Sequence, residues 1–131
     1  MPRRRWIKLW TQETLYGSTA KELEPAERAV WFGLLCLAGD SPQPGVICVA
    51  PNIPYTNEQM ASILNVTTNL LLGTIPILEE HKKIQHNGTG CLEIINWDKY
   101  QPNEEQLQHR REYMAGYMRG YRKKAKDEEV E

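Results

Sequence analysis

The sequence has only three cysteines, Cys36, Cys48 and Cys91, and no Cys-x-x-Cys pair. An odd number of cysteines without paired spacing does not form a disulfide framework, and the three histidines have no metal-ligand spacing with them or with each other. Each cysteine lies in an apolar run, which is typical of a buried thiol. We therefore predict three buried, reduced thiols in a cytoplasmic protein, with no metal and no other cofactor.

No long apolar run follows the basic N-terminal stretch MPRRRWIKLW. A secretory signal requires such a run, and a membrane-spanning helix requires about 20 apolar residues. The sequence also has no serine in a nucleophile-elbow motif and no glycine-rich phosphate loop. The adjacent glutamates Glu79 and Glu80 would point to different faces of a helix. We predict neither a membrane span nor an enzyme.

The formal net charge of −1 conceals an uneven distribution along the chain. Residues 11–108 contain five basic residues against twelve acidic ones, a net charge of −7, whereas residues 109–126 contain seven basic residues against one acidic residue, a net charge of +6. Arg3, Arg4, Arg5 and Lys8 add a second basic segment. Basic segments at both ends of an acidic body are typical of a nucleic-acid binder, although they are also compatible with solvated termini.

The central part of the chain predicts three helices. The first follows Pro25 and buries Val30, Leu34, Leu37 and Ala38, and Gly39 can close it. The second begins with a capping box of Thr56 and Gln59, has an apolar face of Met60, Ile63 and Leu64, and ends near Asn65. The third is capped by Thr67 or Thr68 and turns Leu71, Ile75 and Leu78 to the core. Because Pro76 removes a backbone donor, we expect a kink near Gly73 to Pro76 or a helix that restarts at Pro76.

The remaining elements predict a small sheet. GVICV is one strand, and KIQH and CLEII flank a turn containing Asn87-Gly88, which indicates a β-hairpin with Leu92 and Ile94 on one face. The segment RWIKLW alternates like a short strand or an extended packing segment. The order helix, strand, helix, turn, helix, hairpin is that of a winged helix-turn-helix. We predict an α+β, mainly α fold, with a three-helix core, a small antiparallel sheet and a wing.

The C-terminal segment contains the tetrapeptides Tyr-Met-Ala-Gly, Tyr-Met-Arg-Gly and Tyr-Arg-Lys-Lys in succession. On a helix, Tyr113, Tyr117 and Tyr121 lie on one face, beside Met114 and Met118. These side chains can pack on the winged domain or on another subunit, or the tyrosines can stack on unpaired bases while arginines and lysines meet phosphates. We divide the chain into a winged-helix domain, residues 1–101, and a helical, basic and partly disordered extension, residues 102–131.

The third predicted helix would be the reading helix of the helix-turn-helix, yet it begins without arginine or lysine. Thr67, Thr68, Asn69 and also Thr74 can supply polar contacts to phosphates or bases there. The positive charge for binding would then come from the ends of the chain. The candidate DNA-binding residues are Arg3, Arg4, Arg5, Lys8, Thr67, Thr68, Asn69, Arg110, Arg111, Arg119, Arg122, Lys123, Lys124 and Lys126.

Five segments of the sequence, RWIKLW, ERAVWFGLLCLAGDSPQPGVI, NEQMASILNV, IINWDKYQ and EYMAGYMRGYRKK, occur in that order. Together they resemble the N-terminal domain of phage replisome organisers, which are related to DnaD-type primosomal proteins of phages and prophages in low-GC Gram-positive bacteria. The resemblance implies a winged-helix domain that binds origin DNA, helps recruit a helicase loader or helicase, and often self-associates.

We therefore expect a DNA-binding domain of a phage replication initiation protein. Its partners would be double-stranded DNA, with single-stranded DNA, a helicase loader or helicase, and a second copy of the chain as further options. Two alternatives remain open, a self-associating scaffold and a small winged-helix transcriptional regulator. A single-strand or RNA binder that uses the tyrosines is a less favoured third.

Overall fold

The computed structural model describes residues 6–101 and 104–129, and helices dominate this part of the chain. A small three-stranded antiparallel sheet completes an α+β, mainly α fold. The elements in chain order are α1 (Thr11–Leu15), α2 (Ser18–Glu22), α3 (Pro25–Asp40), β1 (Val46–Ile47), α4 (Asn57–Leu64), α5 (Thr68–Glu80), β2 (Ile84–His86), β3 (Leu92–Ile94), α6 (Trp97–Tyr100) and α7 (Glu104–Glu129).

Helix α3 forms the centre of the core. Pro25 occupies its first position, where no backbone donor is needed, and the Glu24 backbone N–H donates to Glu27 Oε1 at 2.8 Å. The helix continues through Gly39 to Asp40. Gly39 is buried, and a Cβ atom there would lie 2.6 Å from Ile7 Cγ2, so this glycine allows the N-terminal segment to approach the helix.

Helices α4 and α5 form a bent pair joined by a short turn. The predicted capping box begins α4, since the Gln59 backbone N–H donates to Thr56 Oγ1 at 3.1 Å and the Thr56 N–H donates to Gln59 Oε1 at 2.8 Å. Asn65 ends α4 in the left-handed conformation with φ 56°. The two helices are bent by 102°, an angle typical of helix-turn-helix pairs.

Helix α5 is a single helix that contains Pro76 in its interior. Of the two expected alternatives, a kink or a restart at Pro76, the restart is therefore wrong. Because Pro76 has no backbone N–H, the Leu72 carbonyl lacks its usual i+4 donor. Both residues lie on the exposed side of the helix. Water can bond that carbonyl there, which lowers the cost of the missing backbone hydrogen bond.

The hairpin has the predicted strands. Strand β3 lies between β1 and β2, with Ile47 paired to Leu92 and Ile84 paired to Ile94. The connecting loop is longer than a two-residue turn and is organised by one side chain. Asn87 Oδ1 accepts from the backbone N–H groups of Thr89 and Cys91 at 2.9 and 3.0 Å.

The core lies between α3, α4, α5 and the inner face of the sheet. The predicted core residues of α3 and α5 are all buried, as are Leu92 and Ile94. Two burial predictions are wrong: Cys36 is exposed on the outer side of α3, and Ile63 is 55% exposed because α4 turns Met60 and Ala61 inward instead. Cys48 and Cys91 are buried as predicted. The fully buried large side chains are Leu34, Ile47, Leu71, Leu78, Ile84 and Val30.

The segment before α1 is an extended packing segment and not a strand. Ile7 packs against the core, and the Trp10 indole Nε1 donates to the Tyr100 carbonyl at 2.9 Å. The Trp10 and Tyr100 rings also meet edge to face, with centroids 5.8 Å apart. The N-terminal segment is thereby joined to α6, although the two are 90 residues apart in the chain.

The chain divides into two compact units, residues 1–100 and residues 101–131. Helix α7 belongs to the second unit. Within the described residues, no single helix is long and apolar enough to cross a membrane, and only the bent pair of α4 and α5 reaches that length and composition jointly.

Candidate nucleic-acid interface

The basic side chains of α7 are the largest concentration of positive charge in the described residues. The tyrosine repeat lies in a 26-residue helix, as its spacing predicts. All seven predicted basic residues of this helix are exposed, and within the described part of the chain none of them forms an ion pair. They are Arg110, Arg111, Arg119, Arg122, Lys123, Lys124 and Lys126. Such a helix offers many unpaired cations to a phosphate backbone.

The aromatic side chains of the same helix are also exposed. Tyr113, Tyr117 and Tyr121 are 72%, 59% and 61% exposed, and Met114 and Met118 are 47% and 40% exposed. Soluble domains rarely leave a row of large apolar groups in water, and such rows usually mark binding surfaces.

The polar residues predicted for the helix-turn-helix have different positions. The Thr67 side chain is exposed and caps α5, with its Oγ1 accepting from the Leu70 N–H at 3.1 Å. Asn69 is exposed and Thr68 is half-buried, so both lie at the accessible start of α5. The expectation for Thr74 is wrong, because its side chain is buried and its hydroxyl donates to the Leu70 carbonyl at 2.7 Å.

The outward face of α5 carries no charge from Thr68 to Pro76. Asn69, Leu72, Gly73 and Pro76 are the exposed residues there. A helix that reads the major groove normally presents arginine, lysine, asparagine or glutamine to base edges. Asn69 is the single side chain of this kind on that face, so the surface is poorly equipped for reading several base pairs.

The described residues of the first unit, 6–100, have few available cations. Arg3, Arg4 and Arg5 lie outside the described residues, and Lys8 is half-buried. Lys83 Nζ lies 2.8 Å from Ser18 Oγ and 3.5 Å from Glu13 Oε1, with the Trp31 ring centroid 5.4 Å away. Lys83 therefore holds α1 and α2 in place and is not presented to a ligand.

The other basic residues of this unit are divided between internal contacts and exposure. Arg28 Nε donates to the Leu23 carbonyl at 3.1 Å, and Lys99 Nζ lies 5.3 Å from the Tyr100 ring centroid. Lys21 and Lys82 are exposed. Phosphate contacts made by the described residues of this unit would therefore be few.

The tip of the hairpin is uncharged and ordered by hydrogen bonds. Asn87 Oδ1 accepts hydrogen bonds from backbone N–H groups of its own loop. Gly90 has a φ of +84°, a conformation that favours glycine. The His86 Nδ1 atom lies 3.8 Å from Glu79 Oε1. The tip can contact a ligand through Thr89 and backbone donors, but it brings no fixed positive charge. The described residues also contain no group of three or more histidine, cysteine, aspartate or glutamate side chains that could hold a metal ion.

The family of the chain follows from a comparison with protein-family models. Residues 17–123 match the model of the N-terminal phage replisome organiser, a span that begins before α2 and ends within α7. The chain therefore belongs to the phage replisome organiser N-terminal family, as its sequence motifs suggest. This membership supports a role in phage replication. Comparison with curated proteins and with solved structures gives no significant match in either case.

Proposed function

We propose that this protein is a winged-helix DNA-binding domain of a phage replication initiation protein, and that α7 supplies most of its affinity for DNA. The observation that carries the proposal is the exposure of seven basic side chains on one helix, none of which forms an ion pair with another described residue. Family membership adds the replication context.

The interpretation as a winged helix rests on the element order and on the bent pair. Helices α3, α4 and α5 surround the core, the hairpin of β2 and β3 follows α5, and β1 pairs with β3. In this interpretation, the backbone N–H groups at the start of α5 approach a DNA phosphate, since a helix N-terminus favours anions. Thr68 and Asn69 would add hydrogen bonds to the backbone or to one base.

The division of charge between the two units supports sequence-independent binding. Among the described residues, the first unit has few cations outside internal contacts, whereas α7 has seven exposed ones, so most counterions released by the described residues would come from α7. Neutralising about six phosphates would make log K fall against log salt concentration with a slope near −5. Origin recognition and recruitment of a helicase loader or helicase belong to the same proposal and would build on this contact.

A second candidate function is a self-associating scaffold, and the exposed tyrosine and methionine row is the observation that favours it. In that case, a stable oligomer would form without DNA and would persist after the basic residues of α7 are neutralised. A transcriptional regulator is less well supported, because the outward face of α5 offers so little for reading a defined operator.

The test is fluorescence anisotropy with random duplex DNA over a salt series. The variant Arg119→Gln/Arg122→Gln/Lys123→Gln removes three cations of α7. The control Lys21→Gln/Lys82→Gln removes two exposed cations of the first unit, so the changes in slope are compared per cation removed. We expect the α7 variant to weaken binding and to flatten the salt slope by up to about 3, because each phosphate contact contributes roughly 0.9. The control should change the slope by less.

Circular dichroism of each variant checks whether its helix content equals that of the unaltered chain. Equal slopes for the α7 variant and the unaltered chain would refute the role of α7. No binding by the unaltered chain at low salt would refute DNA binding itself and would favour the scaffold.

A further inference from the structure

Five residues of α7 lie on one face of the helix. Arg110, Tyr113, Tyr117, Tyr121 and Lys124 are separated by three, four, four and three residues, and at about 100° per residue they fall within roughly 80° of each other. We call these five residues the tyrosine stripe. It has three aromatic rings in the middle and one cation at each end, and it extends over about 21 Å at 1.5 Å per residue.

The other five basic residues of α7 lie on a different side of the helix. Arg111, Arg119, Arg122, Lys123 and Lys126 occupy a sector that is separated from the stripe by the methionines on one edge and by glycines on the other. Glu112 also lies off the stripe, about 140° from Tyr117. Glu112 falls inside the sector of these five basic residues. One helix therefore has a mainly basic side and a mixed aromatic and basic side.

The glycine edge leaves the rings accessible. Gly116 and Gly120 precede Tyr117 and Tyr121, and a Cβ atom at either glycine would meet nothing within 4 Å. Each glycine weakens the helix by about 0.8 to 1 kcal/mol relative to alanine. An open space beside exposed rings suits a planar group that stacks on them.

The charges at both ends of the stripe indicate the chemistry of its occupant. A second helix packed on the three rings would cover the stems of Arg110 and Lys124, and burying cations without partners is costly. The stripe itself offers no acidic residue between them to pair with a second copy. A suitable occupant carries negative charge and presents planar apolar faces. Duplex DNA has its bases stacked inside, whereas unpaired nucleotides expose both base faces and phosphates.

We propose that the tyrosine stripe is a binding site for single-stranded DNA, distinct from the basic side of α7 that binds duplex phosphates. Tyr113, Tyr117 and Tyr121 stack on successive unpaired bases, while Arg110 and Lys124 contact phosphates at the two ends. This inference rests on the proposed function, because it assigns a second DNA form to the same helix. A protein that starts replication meets both forms once a duplex is opened.

The experiment compares binding of the full chain to oligothymidine and to random duplex DNA by fluorescence anisotropy. The test variant is Tyr113→Ala/Tyr117→Ala/Tyr121→Ala. Its matched controls are the corresponding triple phenylalanine variant, which keeps the rings, and Tyr16→Ala, which removes an exposed tyrosine next to α1. Because alanine favours helix more than tyrosine does, loss of binding in the test variant would not come from melting of α7.

We expect the alanine variant to lose at least about five-fold in affinity for oligothymidine per stacked ring, with duplex affinity changed by less than about two-fold. The phenylalanine variant and Tyr16→Ala should bind both DNA forms like the unaltered chain. Arg119→Gln/Arg122→Gln/Lys123→Gln should have the opposite preference, with the larger loss on duplex DNA.

If the alanine variant bound both DNA forms as the unaltered chain does, or lost the same affinity for both, the single-strand site would be overturned. Duplex binding by α7 would remain intact. A change in sedimentation without DNA, together with unchanged oligothymidine binding, would assign the stripe to a second copy and would also overturn it. Absence of binding to either DNA form by the unaltered chain would refute the proposed function and this inference together.

Discussion

Lys83, at the start of the β-hairpin, and Glu13, in helix α1, form an ion pair of 3.5 Å between elements that are far apart in the chain. The Lys83 side chain is 10% exposed, and its ammonium group also donates to Ser18 Oγ at 2.8 Å. Helices α1 and α2 contribute Thr19 as their buried residue, so polar contacts carry much of their attachment to the core. The Glu22 carboxylate adds a second contact, 3.1 Å from His81 Nδ1.

Replacing Lys83 by methionine should destabilise the first unit by about 1 to 2 kcal/mol, because the charged contacts of the ammonium group with Glu13 and Ser18 are lost. Urea denaturation, followed by tryptophan fluorescence, measures the change. Lys82→Met at the exposed neighbouring position is the control and should be close to neutral. Equal stability of the two variants would show that Lys83 does not anchor these helices.

Stability should depend on pH through Glu13. The hydrogen bond from Ser18, together with the charge of Lys83 and the Thr19 N–H, lowers the pKa of Glu13 below its ordinary value of 4.5. A lowered pKa in the folded state contributes stability that is present above the ordinary value and is lost as the pH falls through the folded pKa. The contribution is modest because the side chain is 46% exposed.

Glu13→Gln should remove this part of the acid sensitivity. The measurement is the free energy of unfolding at neutral pH and at a pH below 4, in the variant and in the unaltered chain. Glu58→Gln, at an exposed position of α4, serves as the control. A steeper loss of stability at low pH in Glu13→Gln than in the unaltered chain would contradict the assignment.

Thr67 should act mainly as a helix cap. Thr67→Ala removes the acceptor for the Leu70 N–H and should cost about 1 kcal/mol of folding stability, whereas Thr68→Ala leaves that cap in place. Thermal unfolding of the two variants measures the difference. If Thr67→Ala weakened duplex DNA binding without any loss of stability, its hydroxyl would be a DNA contact and the capping role would be minor.

Two glycines should respond to alanine in opposite directions. Gly45 has a φ of +88°, and a Cβ atom there would lie 2.7 Å from Trp97 Cγ, so Gly45→Ala should cost at least about 2 kcal/mol through backbone strain and displacement of the indole. Gly73 lies inside α5 with nothing within 4 Å of a Cβ atom. Gly73→Ala should therefore stabilise the helix by about 0.5 to 1 kcal/mol. Thermal unfolding checks both, and a stabilising Gly45→Ala would contradict the close packing of Trp97.

Elements with strong local signals were predictable from the sequence. The capping box of Thr56 and Gln59, the apolar spacing of α3 and the turn at Asn87-Gly88 each depend on residues within a few positions of one another. Interactions between residues so close in the chain form wherever the segment folds, whatever packs against it. The tyrosine repeat belongs to the same class, because spacing alone places its three rings on one face of a helix.

Elements without such signals were not predictable. Helices α1 and α2 are five residues each, too short for a periodic pattern, and they are held by Lys83 and His81 from distant parts of the chain. The burial of Thr74 and the exposure of Cys36 and Ile63 likewise depend on which side of each helix meets a neighbour. The local sequence around those residues does not indicate which side of the helix packs against a neighbour.

The sequence by itself determined the acidic body, the basic and aromatic helix, and the order of helices and hairpin, since charge and local periodicity are properties of the chain. Only the tertiary structure decided which polar groups are available to a ligand. Lys83 is bonded to α1 and α2, and Thr74 is buried in the core, whereas Asn69 and the basic and tyrosine side chains of α7 are exposed. Packing and long-range hydrogen bonds, which involve residues far apart in the chain, decide which polar groups are bonded within the protein and which remain accessible.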